Sequence, residues 1–251
     1  MQSSIFVKSH EFDPTLQTVT FQDIKWGSGG YGNVVYKYCL NDLLIQTPKL
    51  TTPFGFSRGV PNTNNYGHDY NCQFNLDSNT QKTKAFLESL QNFEKVILDY
   101  AYDKRVEWGI FGNQTEAERA TLDVMKGKMT PIVKPSRDPR YAPTLQTKFR
   151  KRKDKDNDEW VITAECHDEK NKEIVPSEET IPRRSQCIMV LRGRPLWISP
   201  EGKFGVSWQI ERMKVYPPEE RPSYGGEESF VGEVSGKMPV GSCLLDSDDE
   251  D

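Results

Sequence analysis

The sequence predicts a mainly β fold, a small Greek-key barrel with helices inserted into its strand order and a disordered acidic C-terminal tail. Three observations predict it. Strand-like runs of β-branched and aromatic residues fill the N-terminal part of the chain and return after Thr130. Between them lies one stripe of apolar residues at helical spacing. The charges are also segregated. Lys126 to Lys155 holds eleven Lys or Arg against Asp138 and Asp154, a local charge of +9. Pro217 to Asp251 holds ten acids against Arg221 and Lys237, a local charge of −8. The net charge of −4 conceals a basic body and an acidic end.

Thr18–Trp26 mixes β-branched, aromatic and polar residues and reads as a first strand. Val34–Leu40 reads as a second, with Tyr36 and Tyr38 on one face because side chains alternate. Leu43–Leu50 is a third candidate. Gly27-Ser28-Gly29-Gly30-Tyr31-Gly32 matches G-x-G-x-x-G, but a strand pattern follows it where a dinucleotide site needs a helix, so a hairpin loop is expected. Thr51–Asn75, rich in Gly, Pro and Asn, reads as a long loop.

Phe86, Leu90, Phe93, Ile97 and Tyr100 then recur at helical spacing, predicting a helix that starts near Asn79–Lys82 and ends before Gly109. A shorter helix is expected from the capping-box pattern Thr115-Glu116-Ala117-Glu118 to Gly127. These make a helical insertion over about residues 79–127. Thr144–Phe149 and Trp160–Cys166 look like hairpin arms around a charged loop, Arg150–Glu159. Cys187–Leu191 reads as a short buried strand. Trp197-Ile198 and Lys203–Ile210 flank the turn Ser199-Pro200-Glu201-Gly202, with Phe204, Val206, Trp208 and Ile210 on one face. Regular patterning fades after Tyr216. A single domain over residues 1–216 and a tail over 217–251 follow. An oligonucleotide-binding barrel is the economical architecture, and an open sandwich carrying helices is the alternative.

No apolar run approaches the ~18 residues that span a bilayer, and the N-terminus lacks a secretory apolar stretch. An intracellular protein, neither secreted nor membrane-bound, is expected. The five cysteines are odd in number and form no C-x-x-C pair, which argues against a disulfide framework and a zinc ribbon. No metal or cofactor is expected. His10, His68 and His167 fall in expected loops, and no G-x-S-x-G elbow is present. The acids near Asp154–Glu159 alternate with Lys, as in a solvated loop.

Basic residues interleaved with aromatics carry more meaning. Lys134, Arg137, Arg140, Tyr141, Lys148, Phe149, Arg150, Lys151, Arg152 and Lys153 form one stretch. Arg183, Arg184, Arg192, Arg194, Trp197 and Lys203 form another, with Phe204 and Trp208 read as core from their alternation. A single strand of nucleic acid needs cations along its backbone and rings for its bases, each stack contributing ~1–3 kcal/mol. Trp197, beside Arg194, is the best candidate ring. The run Lys148–Lys155 also suits a nuclear-localisation signal. In the tail, Leu244, Leu245, Asp246, Asp248, Asp249, Glu250 and Asp251 are candidates for an autoinhibitory or partner-binding segment.

Leu191-Arg192-Gly193-Arg194-Pro195-Leu196-Trp197-Ile198-Ser199-Pro200-Glu201-Gly202-Lys203-Phe204-Gly205-Val206-Ser207-Trp208-Gln209 resembles the C-terminal part of the single-stranded-DNA-binding proteins of nucleocytoplasmic large DNA viruses. That family looks related to the corresponding proteins of short-tailed bacteriophages, which pair an oligonucleotide-binding barrel with an acidic tail. The resemblance is clearest over about residues 130–216. It implies non-catalytic coverage of single-stranded DNA in viral replication, recombination or repair, at a replication site in the host cytoplasm or nucleus. It also implies a tail that contacts a viral DNA polymerase, helicase or primase, and it is compatible with a homo-oligomer. The phage tails end in an aromatic residue, whereas this one ends Asp248-Asp249-Glu250-Asp251. The competing expectations are a virion or host-interaction protein that binds duplex DNA, RNA or protein through a basic hairpin, and a metal-dependent nuclease.

Overall fold

The computed structural model describes residues 4–61, 68–77, 79–154 and 160–218. The tail candidates Leu244, Leu245, Asp246, Asp248, Asp249, Glu250 and Asp251 lie outside these residues, as does the charged-loop segment 155–159.

Strand β1 (Ser4–Lys8) is followed by β2 (Val19–Phe21), β3 (Lys25–Trp26), β4 (Gly32–Val34), β5 (Tyr36–Tyr38), β6 (Asp42–Gln46) and β7 (Leu50–Thr51). Next come β8 (Ser57–Pro61) and β9 (His68–Asn75), then helices α1 (Gln81–Asp103), α2 (Gln114–Arg119) and α3 (Leu122–Lys128). The chain returns to strands with β10 (Val133–Lys134), β11 (Thr144–Phe149), β12 (Lys151–Lys153), β13 (Trp160–Ile162) and β14 (Glu165–His167). It ends in β15 (Gln186–Gly193), β16 (Leu196–Ile198), β17 (Phe204–Gly205) and β18 (Trp208–Tyr216).

The fold is mainly β with inserted helices, as the sequence predicts. Its main sheet is mixed, in the order β1-β6-β15-β18-β11-β9-β8, with β7 on β15, β10 on β11 and β14 on β18. The sheet curls until β7 lies beside β9, although no ladder joins that pair among the described residues. A smaller sheet, β17-β16-β4-β3, carries Trp197.

Helix α1 fills the inner side of this curl. Thr80 caps it, its hydroxyl accepting from the Thr83 amide at 3.1 Å. Phe86, Leu90, Phe93 and Ile97 are buried, so the helical stripe faces the core. The Phe93 ring meets Phe12, Tyr36 and Trp208 at centroid distances of 5.7, 5.3 and 6.0 Å. One ring therefore ties the helix to three separate strands or turns, and each such large side chain contributes ~1.5–3 kcal/mol by burial.

Several sequence expectations are corrected. Residues 51–75 are not one long loop: β8 and β9 lie there, and β9 pairs antiparallel with β11. Their Gly, Pro and Asn content masks a strand whose Cys72 and Phe74 are buried. Thr144–Phe149 does not pair with Trp160–Cys166, because β11 runs between β9 and a parallel β18. The hairpin is smaller and pairs β12 with β13. The second helix is two. Asn113 rather than Thr115 caps the first, and Ala120 at ψ 132° breaks the backbone before Thr121 caps the next. The glycine-rich segment is the expected hairpin loop, with β3 and β4 pairing across it.

Candidate nucleic-acid interface

The ladder registers line up one row of side chains across seven strands. Ser57 pairs with Asn71, Asn71 with Lys148, Lys148 with Gln209, Gln209 with Arg192, Arg192 with Leu44, and Leu44 with Phe6. Side chains alternate, so the next row in register, Phe149, Ile210, Leu191, Ile45 and Val7, points the other way and is buried. The first row is thus the outer face of the sheet. Six strand spacings of ~4.8 Å give it a span of about 29 Å.

Two clefts flank the middle of this row. One, of about 490 Å³, lies among Asp42, Arg150, Lys151, Arg192, Arg194 and Glu211. The other, of about 80 Å³, lies among Lys134, Gln146, Lys148, Trp197 and Trp208. Trp197 sits opposite Gly205 on the small sheet, and its half-buried ring lies over that glycine. A β-carbon at residue 205 would stand 3.1 Å from the ring. The hairpin bearing Trp197 is itself braced, because Gly202 (φ +75°) approaches Ile110 so closely that a β-carbon would stand 1.9 Å from its carbonyl oxygen.

Carboxylates organise the cations. Glu211 accepts from Arg150 Nη1 at 2.6 Å and from Arg192 Nε at 2.8 Å. Asp42 receives Lys37 and approaches Arg192 Nη1 at 3.8 Å. Asp69 receives Lys148 at 2.9 Å and Lys151 at 3.3 Å. Burial pushes the Asp69 carboxyl up, but hydrogen bonds and charge from the two lysines outweigh it and hold the group below its ordinary range. Arg194 is exposed and makes no ion pair among the described residues. Among the described residues Lys134 is tied only to the neutral Gln146.

The chain matches no protein-family model, and no curated protein matches its sequence. Among solved structures it is similar to gp2.5, a single-stranded DNA-binding protein encoded by bacteriophage T7. The TM-score is 0.46 at 16% identity, over 74% of this chain and 98% of that one. It is also similar to the single-stranded DNA-binding protein of bacteriophage Enc34 in complex with single-stranded DNA. There the TM-score is 0.37 at 8% identity, over 80% and 97% of the two chains.

Of the residues expected from sequence, Lys134, Lys148, Arg150, Lys151, Arg192, Arg194 and Trp197 come together around the row. Arg152 and Lys153 are exposed on β12 beside it. Arg150 is engaged through all three guanidinium nitrogens. Besides Glu211, its Nε donates to Thr163 Oγ1 at 3.0 Å and its Nη2 to the Thr163 carbonyl at 3.2 Å. Phe149 is removed from the interface, because strand alternation places it in the core row, where it packs on Phe56 at 5.4 Å. Arg137, Arg140 and Tyr141 lie in the loop before β11, with Arg140 held by Asp138 at 2.6 Å. Lys203 is exposed beyond the Trp197 turn. Arg183 and Arg184 precede the end of β15 opposite Arg192.

Sequence reading missed Phe6, which is 48% exposed at one end of the row. Its signal was available in the alternation Ile5-Phe6-Val7-Lys8. The carboxylates Asp42, Asp69 and Glu211 were also missed, since only tertiary pairing brings them under the cations. Among the described residues no three His, Cys, Asp or Glu side chains converge as metal ligands. Cys72, Cys166 and Cys187 are free and buried, and burial pushes the Cys166 thiol up to about 12.

Proposed function

We propose that this chain is a non-catalytic single-stranded-DNA-binding protein. The observation that carries the reading is the row across the sheet, where cations paired with partly buried carboxylates lie beside the half-buried Trp197 ring. Cations spaced along an open face suit a phosphate backbone, and a ring on a rigid hairpin suits a base. A sheet face of about 29 Å carrying spaced cations and a ring favours a single strand lying across it.

The reading extends to a virus-encoded protein of DNA replication, recombination or repair, working inside the host cell in the cytoplasm or nucleus. The likeness of residues 191–209 to proteins of nucleocytoplasmic large DNA viruses supports that setting. Residues 1–216 would act as the binding unit and residues 217–251 as an acidic competitor for the same cations. Displaced by DNA, that segment would become free for a polymerase, helicase or primase.

Titration with oligo(dT) tests the reading. Expected are quenching of tryptophan fluorescence and affinity that rises with oligonucleotide length. Magnesium-dependent cleavage of the oligonucleotide would contradict it in favour of a nuclease. Deleting residues 242–251 is expected to tighten binding at low salt, where screening is weak. Unchanged or weaker binding would remove the competitor role.

A further inference from the structure

A second aromatic and basic cleft opens at the β8 end of the row. It lies four strand spacings from Arg192, or about 19 Å. Its volume is about 480 Å³, and Phe54, Ser57, Arg58, Glu178, Pro182 and Arg183 line it. Ser57 belongs to both the row and the cleft, so the two surfaces are continuous.

Phe54 is 59% exposed, yet its loop is anchored on both sides. The Thr52 amide donates to the Ser185 carbonyl at 2.9 Å, and the Arg184 amide donates back to Thr52 at 2.7 Å. The Phe56 amide donates to the Ile181 carbonyl at 2.9 Å. Between them Gly55 adopts φ +70°, and a β-carbon there would stand 2.5 Å from the Ile181 carbonyl oxygen. Only glycine lets the loop lie this close. The exposed ring is therefore mounted on a fixed support. Beneath it, Phe56 packs on Tyr70 and Phe149 at 5.8 and 5.4 Å.

Arg58 and Arg183 are exposed and make no ion pair among the described residues, while Glu178 is the carboxylate lining the cleft. A ligand that presents a flat apolar face between two anionic groups satisfies this arrangement. A nucleotide within a strand does so. We infer that this cleft is a second contact for the single strand bound along the row, with one base on Phe54 and the flanking phosphates on Arg58 and Arg183. The inference rests on the single-strand reading above. An acidic protein segment would match the arginines, but continuity with the row through Ser57 favours nucleic acid.

Phe54→Ala and Arg183→Glu in the full chain, titrated with dT oligomers of about 5 and about 16 nucleotides, test it. Each variant is expected to lose about tenfold in affinity for the longer oligomer and less than about twofold for the shorter, which is held at the Trp197 end. Arg183→Glu is also expected to flatten the salt dependence on the longer oligomer, by a slope of about 0.7 or more. Phe54→Tyr keeps a stacking ring and is expected to bind like the wild type, which separates stacking from any loss of folding. Equal losses on both oligomers, or no loss on the longer one, would overturn the inference. So would unchanged DNA binding together with weakened binding of a peptide spanning residues 217–251. Failure of the wild type to bind either oligomer would instead remove the primary reading, and this one with it.

Discussion

The Tyr36 hydroxyl lies against Gly193 so closely that a β-carbon on residue 193 would stand 1.9 Å from it. Gly193 pairs with Trp208 and sits between Arg192 and Arg194. The Tyr36 ring in turn rests on Phe93 of helix α1. The path of the backbone that presents two cations to the larger cleft is thus set by a core aromatic cluster.

Gly193→Ala is therefore expected to cost about 1–3 kcal/mol, the range for overpacking a filled site. Thermal unfolding measures it, and a wild-type midpoint would contradict the close approach. The Tyr36 hydroxyl is buried without a hydrogen-bond partner among the described residues. Tyr36→Phe removes that unsatisfied group and is expected to be at least as stable as the wild type. Combining the two changes should recover part of the alanine loss, because less of the clash remains.

Two tryptophans on neighbouring segments should behave oppositely. Trp197 is half-buried over Gly205, and Trp197→Ala is expected to weaken oligo(dT) binding by about 5- to 150-fold with little change in melting temperature. Trp208 is 1% exposed, and Trp208→Ala is expected to cost ~3–5 kcal/mol of stability. Loss of binding without loss of stability at Trp208 would reverse the assignment of faces.

The arginines differ in the same way. Arg150 spends all three guanidinium nitrogens on Thr163 and Glu211, so Arg150→Ala should lower stability as well as affinity. Arg194 has no ion pair among the described residues, so Arg194→Ala should lower affinity alone. Removing one phosphate contact on a single strand should reduce the salt slope by about 0.7. An unchanged slope for Arg194→Ala would place that side chain outside the site.

Period-two and period-3.6 patterns carried much of the fold. The α1 stripe and the Phe204–Ile210 alternation are visible because each buries one face against a single core. Strands β8 and β9 were not legible, since their Gly, Pro and Asn content imitates a loop and only the ladders from β8 to β9 and from β9 to β11 give them strand geometry. Phe149 shows the same limit within the site. It stands in a basic run, but its neighbours in register rather than in sequence decide that it faces inward. The cations were legible as charge. Their carboxylate partners were not, because Asp42, Asp69 and Glu211 reach them from other strands.

Glu94 gives a pH-dependent test of the packing between α1 and β10. Its carboxylate accepts from the Ile132 amide and from the Val133 amide at 3.0 Å. Burial raises its pKa above the ordinary glutamate value, and the two amides and the charge of Lys126 offset this only in part. A carboxyl raised in this way favours folding at a pH below its unfolded value, and that contribution is lost as pH rises through the folded value. Glu94→Gln keeps an acceptor for the amides and removes the charge. It is expected to be more stable than the wild type near neutral pH, with the difference shrinking as pH falls toward about 4. A difference that does not change with pH would contradict the assignment.

Competition between oligo(dT) and a duplex of equal length, at two salt concentrations, tests the central claim most directly. If the row of cations and Trp197 bind a single strand, oligo(dT) should displace the duplex. Its affinity should also fall with salt, by a slope of about −0.7 per phosphate contacted. Equal affinity for the duplex, or single-strand binding that ignores salt, would contradict the account.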